Sequence, residues 1–105
     1  MRNTRLIVAA ILFIARTAAA QTDVITTART MYSSGQHPQA LATLKGHLSG
    51  TPRDVDARLV YGLMLSWDGR YDEARAELQQ VLIQTPEYKD ARVALMNVEW
   101  WSGPW

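Results

Sequence analysis

The chain has 105 residues, of which 48% are hydrophobic and 20% charged, and its formal net charge is +1. This length allows one domain, and the near-neutral charge gives no basic patch of the kind that binds nucleic acid. The absence of cysteine excludes disulfide bonds and thiolate metal sites.

The first predicted element is a leader over residues 1–20. Arg2 and Arg5 precede an unbroken apolar run over residues 6–15, and small residues follow at Ala18 and Ala20. These are the parts of a secretory signal peptide. An uncleaved membrane anchor is the alternative, but ten apolar residues reach only about 15 Å as a helix, half of a bilayer core. We therefore predict cleavage after Ala20 and export to the periplasm.

Removal of the leader changes the charge of the chain. Of the 11 Lys and Arg side chains, Arg2, Arg5 and Arg16 lie in the leader, which leaves 8 against 10 Asp and Glu, a net charge of −2. The slight basicity of the whole chain therefore belongs to the leader, and nucleic acid is not an expected partner.

Five helices are predicted after the leader, because apolar residues recur at helical spacing. Gly35 is suited to the position past the end of the first helix, and Pro38 to the first position of the second. Asp54 or Asp56 can cap the third. No segment alternates with a two-residue period, so strands are not expected and the fold class is all-α. The predicted helices cover residues 22–34, 38–50, 55–68, 71–84 and 88–102.

A sequence repeat runs through the same region. Gly35, Gly69 and Gly103 recur at one constant interval. The same interval relates the pairs Ala40/Ala74, Leu44/Leu78, Leu48/Leu82, Thr51/Thr85, Pro52/Pro86 and Trp67/Trp101. Self-similarity with a period of about 34 residues indicates a stacked array of helical units, in which no unit buries its apolar face alone.

The repeat resembles the tetratricopeptide repeat, whose pattern is W-x2-L-G-x2-Y, then A-x3-F, then P. The second unit carries this resemblance through Tyr61, Gly62, Leu65, Ala74, Leu78 and Pro86. The resemblance implies an α-solenoid of about two and a half units, which cover residues 21–54, 55–88 and 89–105. Such arrays hold partners, so a scaffold is expected rather than an enzyme.

The units depart from the family pattern at several positions. The first aromatic position is replaced by Val24, Arg58 and Arg92, one in each unit. The third unit ends after its first helix and has Met96 where a small residue is expected and Glu99 where a large one is.

The second half of the chain has a narrower resemblance. Its segments 57–59, 67–71, 91–95 and 101–103 are similar to the periplasmic repeats that precede the outer-membrane β-barrel in YaiO-family proteins. This resemblance implies association with the outer membrane. It also raises the hypothesis that the chain is the N-terminal part, or a non-functional truncated remnant, of a longer barrel protein.

The candidate partner-binding residues follow from the tetratricopeptide register, in which the first helix of each unit lines a concave groove. They are Arg29, Tyr32, Asp56, Leu59, Leu63, Trp67, Asp90, Asn97, Trp100 and Trp101. Five further positions face the same way in this register: Thr22, Ile25, Ser33, Ser66 and Val93. Exposed tryptophans would anchor a peptide or a sugar chain; the alternative is that Trp67 and Trp101 pack against each other or against neighbouring helices.

No catalytic, metal or cofactor site is predicted. His37 and His47 are ten residues apart and lack the i, i+4 spacing that places two ligands on one helical face. The chain has no phosphate-binding glycine loop, nucleophile elbow or HExxH motif.

Three functional hypotheses remain open. The first is an exported, non-enzymatic scaffold that binds a protein partner in the cell envelope of a Gram-negative bacterium. The second is an accessory module for polysaccharide export that binds a glycan, and the third is the truncated remnant. Self-association is a further expectation, because the last helix has no following helix to cover it.

Overall fold

The computed structural model describes residues 24–104, which form five helices and no strand. α1 covers residues 24–33, and α2 to α5 are His37–Gly50, Val55–Trp67, Tyr71–Gln84 and Lys89–Trp101. The bounds that fall in this range agree with the predicted ones to within one residue, and the all-α helical array is confirmed. None of these helices is long and apolar enough to span a membrane. The leader and its cleavage site lie outside the described residues.

The helices α1 and α3 end in the same glycine turn. Gly35 and Gly69 have φ angles of 84° and 78°, in the left-handed region that glycine adopts without a Cβ penalty. In both turns, the N–H of the glycine and the N–H of the following residue donate to carbonyl groups of the last helical turn. This pair of hydrogen bonds is the Schellman motif, and it lets the chain reverse into the next helix.

The N-terminus of α3 is capped by Asp54, which decides between the two predicted caps. Its Oδ1 accepts the N–H of Ala57 at 3.1 Å. Its other oxygen lies 2.8 Å from Nε2 of His47, in the last turn of α2. One carboxylate therefore fixes the turn from both sides.

Successive helices pack on one another, and α3 is central, with α2, α4 and α5 all in contact with it. α3 and α4 approach each other closely at Gly62. A Cβ added there would lie 3.0 Å from Cγ and Cδ2 of Leu78, which is fully buried, as is Ala74. The small residues of the family pattern therefore mark the helix contact that the register predicts.

Arginine takes the place of the consensus aromatic residue by holding the preceding turn. Nη2 of Arg58 donates to the carbonyl oxygen of Pro52 at 3.0 Å, and its Nη1 pairs with Glu77 of α4. Nε and Nη2 of Arg92 donate to the carbonyl oxygen of Pro86 at 3.1 and 2.6 Å. The departure from the pattern thus replaces ring packing with hydrogen bonds to a turn carbonyl.

Candidate partner-binding groove

A groove of about 210 Å³ lies between α1 and α3, the first helices of the first two units. We call it the α1–α3 groove. Its lining residues are Arg29, Tyr32, Ser33, Met64 and Trp67. Four of these five occupy positions that the repeat register assigns to the concave surface, so α1 and α3 present them on one side.

Aromatic rings form one wall of the groove. The ring of Tyr32 stacks on His37, with centroids 3.7 Å apart and an interplanar angle of 8°. The ring of Trp67 lies 5.4 Å from that of Tyr32 at a tilt of 58°. The Tyr32–Trp67 pair has the tilted geometry that aromatic pairs favour, whereas Tyr32 and His37 stack nearly face to face. Tyr32 therefore contacts two rings, those of His37 and Trp67.

The polar atoms behind this wall bind one another. The hydroxyl of Tyr32 donates to Oδ1 of Asp68 at 2.7 Å, and Nδ1 of His37 lies 3.0 Å from the same oxygen. Burial, followed by this hydrogen bond, raises the pKa of Tyr32 to about 12. The phenol therefore remains a protonated donor at neutral pH, and Asp68 joins the end of α3 to α1 and to the start of α2.

The groups left for a ligand are an aromatic face and a cation. Trp67 is 56% exposed although it contacts Tyr32, so it packs against a ring of α1 and leaves part of its own ring accessible. Arg29 is exposed, and no carboxylate of residues 24–104 forms an ion pair with it. Ser33 lines the groove beside them. Together these groups suit an apolar side chain next to a carboxylate.

The described part of the chain has no arrangement of side chains suited to metal binding. Residues 24–104 contain no group of three or more His, Asp or Glu side chains placed to hold a metal ion. Each histidine instead contacts one carboxylate, His37 that of Asp68 and His47 that of Asp54.

Comparison with known proteins identifies the family. The sequence profile of the tetratricopeptide repeat matches residues 31–97, well over half of the chain. The chain belongs to the tetratricopeptide repeat family. Repeats of this family are typically non-enzymatic modules for protein interaction. No curated protein matches the chain. The matched span reaches from the end of α1 into α5 and contains Tyr32 and Trp67 of the groove.

The tetratricopeptide register brings some of the predicted binding residues together and separates others. Arg29, Tyr32 and Trp67 converge on the α1–α3 groove. Leu63 is half-buried, whereas Leu59 is only 7% exposed and belongs to the core. The expectation of a surface position at Leu59 is therefore wrong, because Leu59 belongs to the core that α3 forms with the helices packed on it.

Apart from Leu59 and Leu63, the predicted binding positions outside this groove are exposed on α3 and α5. Asp56 accepts a hydrogen bond from the hydroxyl of Tyr88, which ties the start of α3 to the turn before α5. Trp100 lies with Met96 on a separate surface of α5, away from the α1–α3 groove. The remaining exposed positions are Asp90, Asn97 and Trp101.

Sequence reasoning missed the link between His37 and Asp68. The two residues are 31 positions apart and come from the glycine turns of neighbouring units. Because tetratricopeptide units stack, equivalent turns lie side by side, so polar residues near Gly35 and Gly69 become neighbours. Superposing the two turns by the repeat period is the signal that would have found this contact.

Proposed function

We propose that this chain is an exported, non-enzymatic tetratricopeptide scaffold that binds a protein partner in the cell envelope through the α1–α3 groove. The observation that supports this most directly is the half-exposed ring of Trp67, held against Tyr32 beside Arg29. Tyr32 is itself fixed by stacking and by its hydrogen bond to Asp68. A ring held in place before binding loses little conformational entropy when a partner packs on it.

The partner that fits this groove is an extended peptide with an acidic group and an apolar side chain. A carboxylate would bind the guanidinium of Arg29, which can donate two parallel hydrogen bonds to it. The adjacent apolar side chain would cover Trp67, since large aromatic residues at the centre of an interface supply much of its free energy.

The envelope location is part of the same proposal. It rests on the signal-peptide pattern of residues 1–20. The similarity of the second half to YaiO-family periplasmic repeats further supports a role at the outer membrane. Intact-mass measurement of the exported protein tests the signal peptide.

A glycan is the second candidate ligand, because sugar rings also stack on an exposed indole such as that of Trp67. This candidate belongs to the hypothesis of an accessory module for polysaccharide export. It predicts that binding depends on the ring and tolerates loss of the cation at Arg29, whereas an acidic peptide requires both.

Site-specific photo-crosslinking tests the proposal. The chain is exported to the periplasm of a Gram-negative host with a photoreactive amino acid in place of Ser33, and it should form a protein adduct. The same amino acid in place of Gln79 should form none, because Gln79 is exposed on α4 outside the groove. Trp67→Ala should abolish the adduct while the helical circular dichroism spectrum is retained. The matched control is Ile83→Ala, which removes an exposed apolar side chain from α4 and should leave the adduct intact.

Two results would contradict the proposal. An adduct at Ser33 that persists in Trp67→Ala would show that the ring is not the anchor. Binding on a glycan array that is lost in Trp67→Ala but kept in Arg29→Ala, with no protein adduct, would favour the glycan.

A further inference from the structure

A second surface lies at the end of the array, on α5 and the adjoining edge of α4. Its residues surround an open apolar groove of about 630 Å³, and we call it the α5 end face. Met96 lies in it and is 69% exposed. No helix of residues 24–104 covers this face. Its lining residues are Leu82, Arg92, Leu95, Met96, Glu99 and Trp100.

The chain contains its own template for what covers such a face. Arg92 and Met96 occur one repeat period after Arg58 and Gly62, so they hold the same positions on α5 that those residues hold on α3. On α3 these positions are covered by α4, with Leu78 placed directly over Gly62. The α5 end face is therefore the equivalent of a helix-binding surface that is filled one unit earlier.

The charge at this face matches a carboxylate on a helix that docks there. In the second unit, Nη1 of Arg58 pairs with Oε2 of Glu77 on α4 at 2.5 Å, while Nη2 holds the turn carbonyl. Arg92 holds the equivalent carbonyl through Nε and Nη2, so its guanidinium is anchored to the equivalent turn. No carboxylate of residues 24–104 forms an ion pair with Arg92.

The shape of this face excludes a simple copy of α4. Gly62 leaves just enough room for Leu78, since even a Cβ there would lie 3.0 Å from the leucine. Met96 occupies the equivalent position on α5 and projects a long side chain. A helix that docks as α4 does must therefore carry a small residue where α4 has Leu78, immediately after the acidic residue at the position of Glu77.

We propose that the α5 end face binds an amphipathic helix of a protein partner, packed on α5 as α4 packs on α3. The partner helix has an acidic residue directed at Arg92, followed by a small residue that receives Met96. This surface shares no lining residue with the α1–α3 groove, so the proposal stands independently of the one for that groove.

Peptides derived from α4 test the size and the charge separately. The probe is a fluorescein-labelled, helix-stapled peptide with the sequence of residues 71–85 and the substitution Leu78→Ala; its anisotropy is titrated with the mature chain. The substituted peptide should bind at least about tenfold more tightly than the unsubstituted one, because the leucine of the unsubstituted peptide would clash with Met96. In the chain variant Met96→Gly, whose folding is checked by circular dichroism, this order should reverse. Val93→Ala is the matched control, because Val93 is exposed on α5 but lies outside the face.

The charge is tested on the unaltered chain, which avoids any effect on folding. Glu77→Gln in the probe peptide should weaken binding by about threefold to tenfold, and this loss should shrink at high salt. Equal affinity of the alanine and leucine peptides, or of the glutamate and glutamine peptides, would overturn the proposal. Sedimentation provides a further test. A tight homodimer that persists in an excess of the probe peptide would assign the face to a second copy of the chain, and this result would also overturn the proposal.

Discussion

The contact between Gly62 and Leu78 predicts the effect of Gly62→Ala on the free energy of unfolding. The sign of this effect depends on whether residue 78 is leucine or alanine. Gly62 lies inside α3, where alanine would be the better helix former. An added Cβ would, however, be 3.0 Å from two carbons of Leu78, one of which is its branch carbon Cγ. Leu78 is fully buried and cannot rotate away into solvent. Gly62→Ala should therefore destabilise the chain.

The size of the effect follows from two opposing contributions. Overpacking of a buried contact costs about 1–3 kcal/mol. The higher helix propensity of alanine over glycine returns about 1 kcal/mol. The net loss in the free energy of unfolding should therefore be up to about 2 kcal/mol. If Leu78→Ala is made first, the contact is gone, and the same Gly62→Ala change should stabilise by about 1 kcal/mol.

Urea denaturation followed by circular dichroism measures each free energy. Gly46→Ala is the matched control, because Gly46 lies inside α2 with nothing within 4 Å of an added Cβ. That control should stabilise by about 0.5–1 kcal/mol, and it also serves as the background in which the Leu78→Ala variants are compared. Equal stabilisation by Gly62→Ala and Gly46→Ala would refute the close approach of α3 and α4 at this site.

Four further predictions concern packing, export, titration and assembly. Ala74→Leu overpacks the same helix pair and should cost about 1–3 kcal/mol, seen as a lower melting temperature; an unchanged curve would mean that the repeat register is wrong. Intact-mass measurement of exported protein should show Gln21 as the first residue, whereas full-length protein confined to the inner membrane would exclude cleavage after Ala20. Tyr32 and Tyr88 both have their pKa raised to about 12, so their stabilising contribution is complete below pH 10 and is lost as the pH rises towards 12. Tyr32→Phe should reduce that alkaline loss of stability, and ultraviolet titration that places every tyrosine near pH 10 would contradict the hydrogen bonds assigned to them. Sedimentation of the mature chain alone should show weak self-association through the exposed end of the array, and a stable monomer with fully buried tryptophan fluorescence would contradict it.

The helices were predictable because local chemistry determines where they end. Gly35 and Gly69 adopt backbone angles that other residues avoid, and the repeat places the same turn in the first and second units. The convergence of Tyr32 and Trp67 followed from the family register. The register did not predict that these two rings would pack on each other and still remain partly exposed, because that depends on the distance between α1 and α3.

Other features depend on tertiary packing that a register cannot supply. Leu59 has a groove position in the pattern, yet the structure buries it, because α3 is enclosed by its neighbours. The roles of Arg58 and Arg92 were hidden for a different reason. A family pattern records where an aromatic ring belongs, but it does not say what bond a substituting arginine makes.

The bonds from Arg58 to Pro52 and from Arg92 to Pro86 each span six residues. Each arginine and the carbonyl it holds are therefore inherited on one short stretch of the gene. Duplication of a segment one repeat long copies both the arginine and the proline carbonyl that it binds. No compensating change is then needed elsewhere in the chain. An array built in this way can lengthen or shorten by whole units during evolution while its residues at the partner-binding surfaces diverge, as the exchange of Gly62 for Met96 between neighbouring units illustrates.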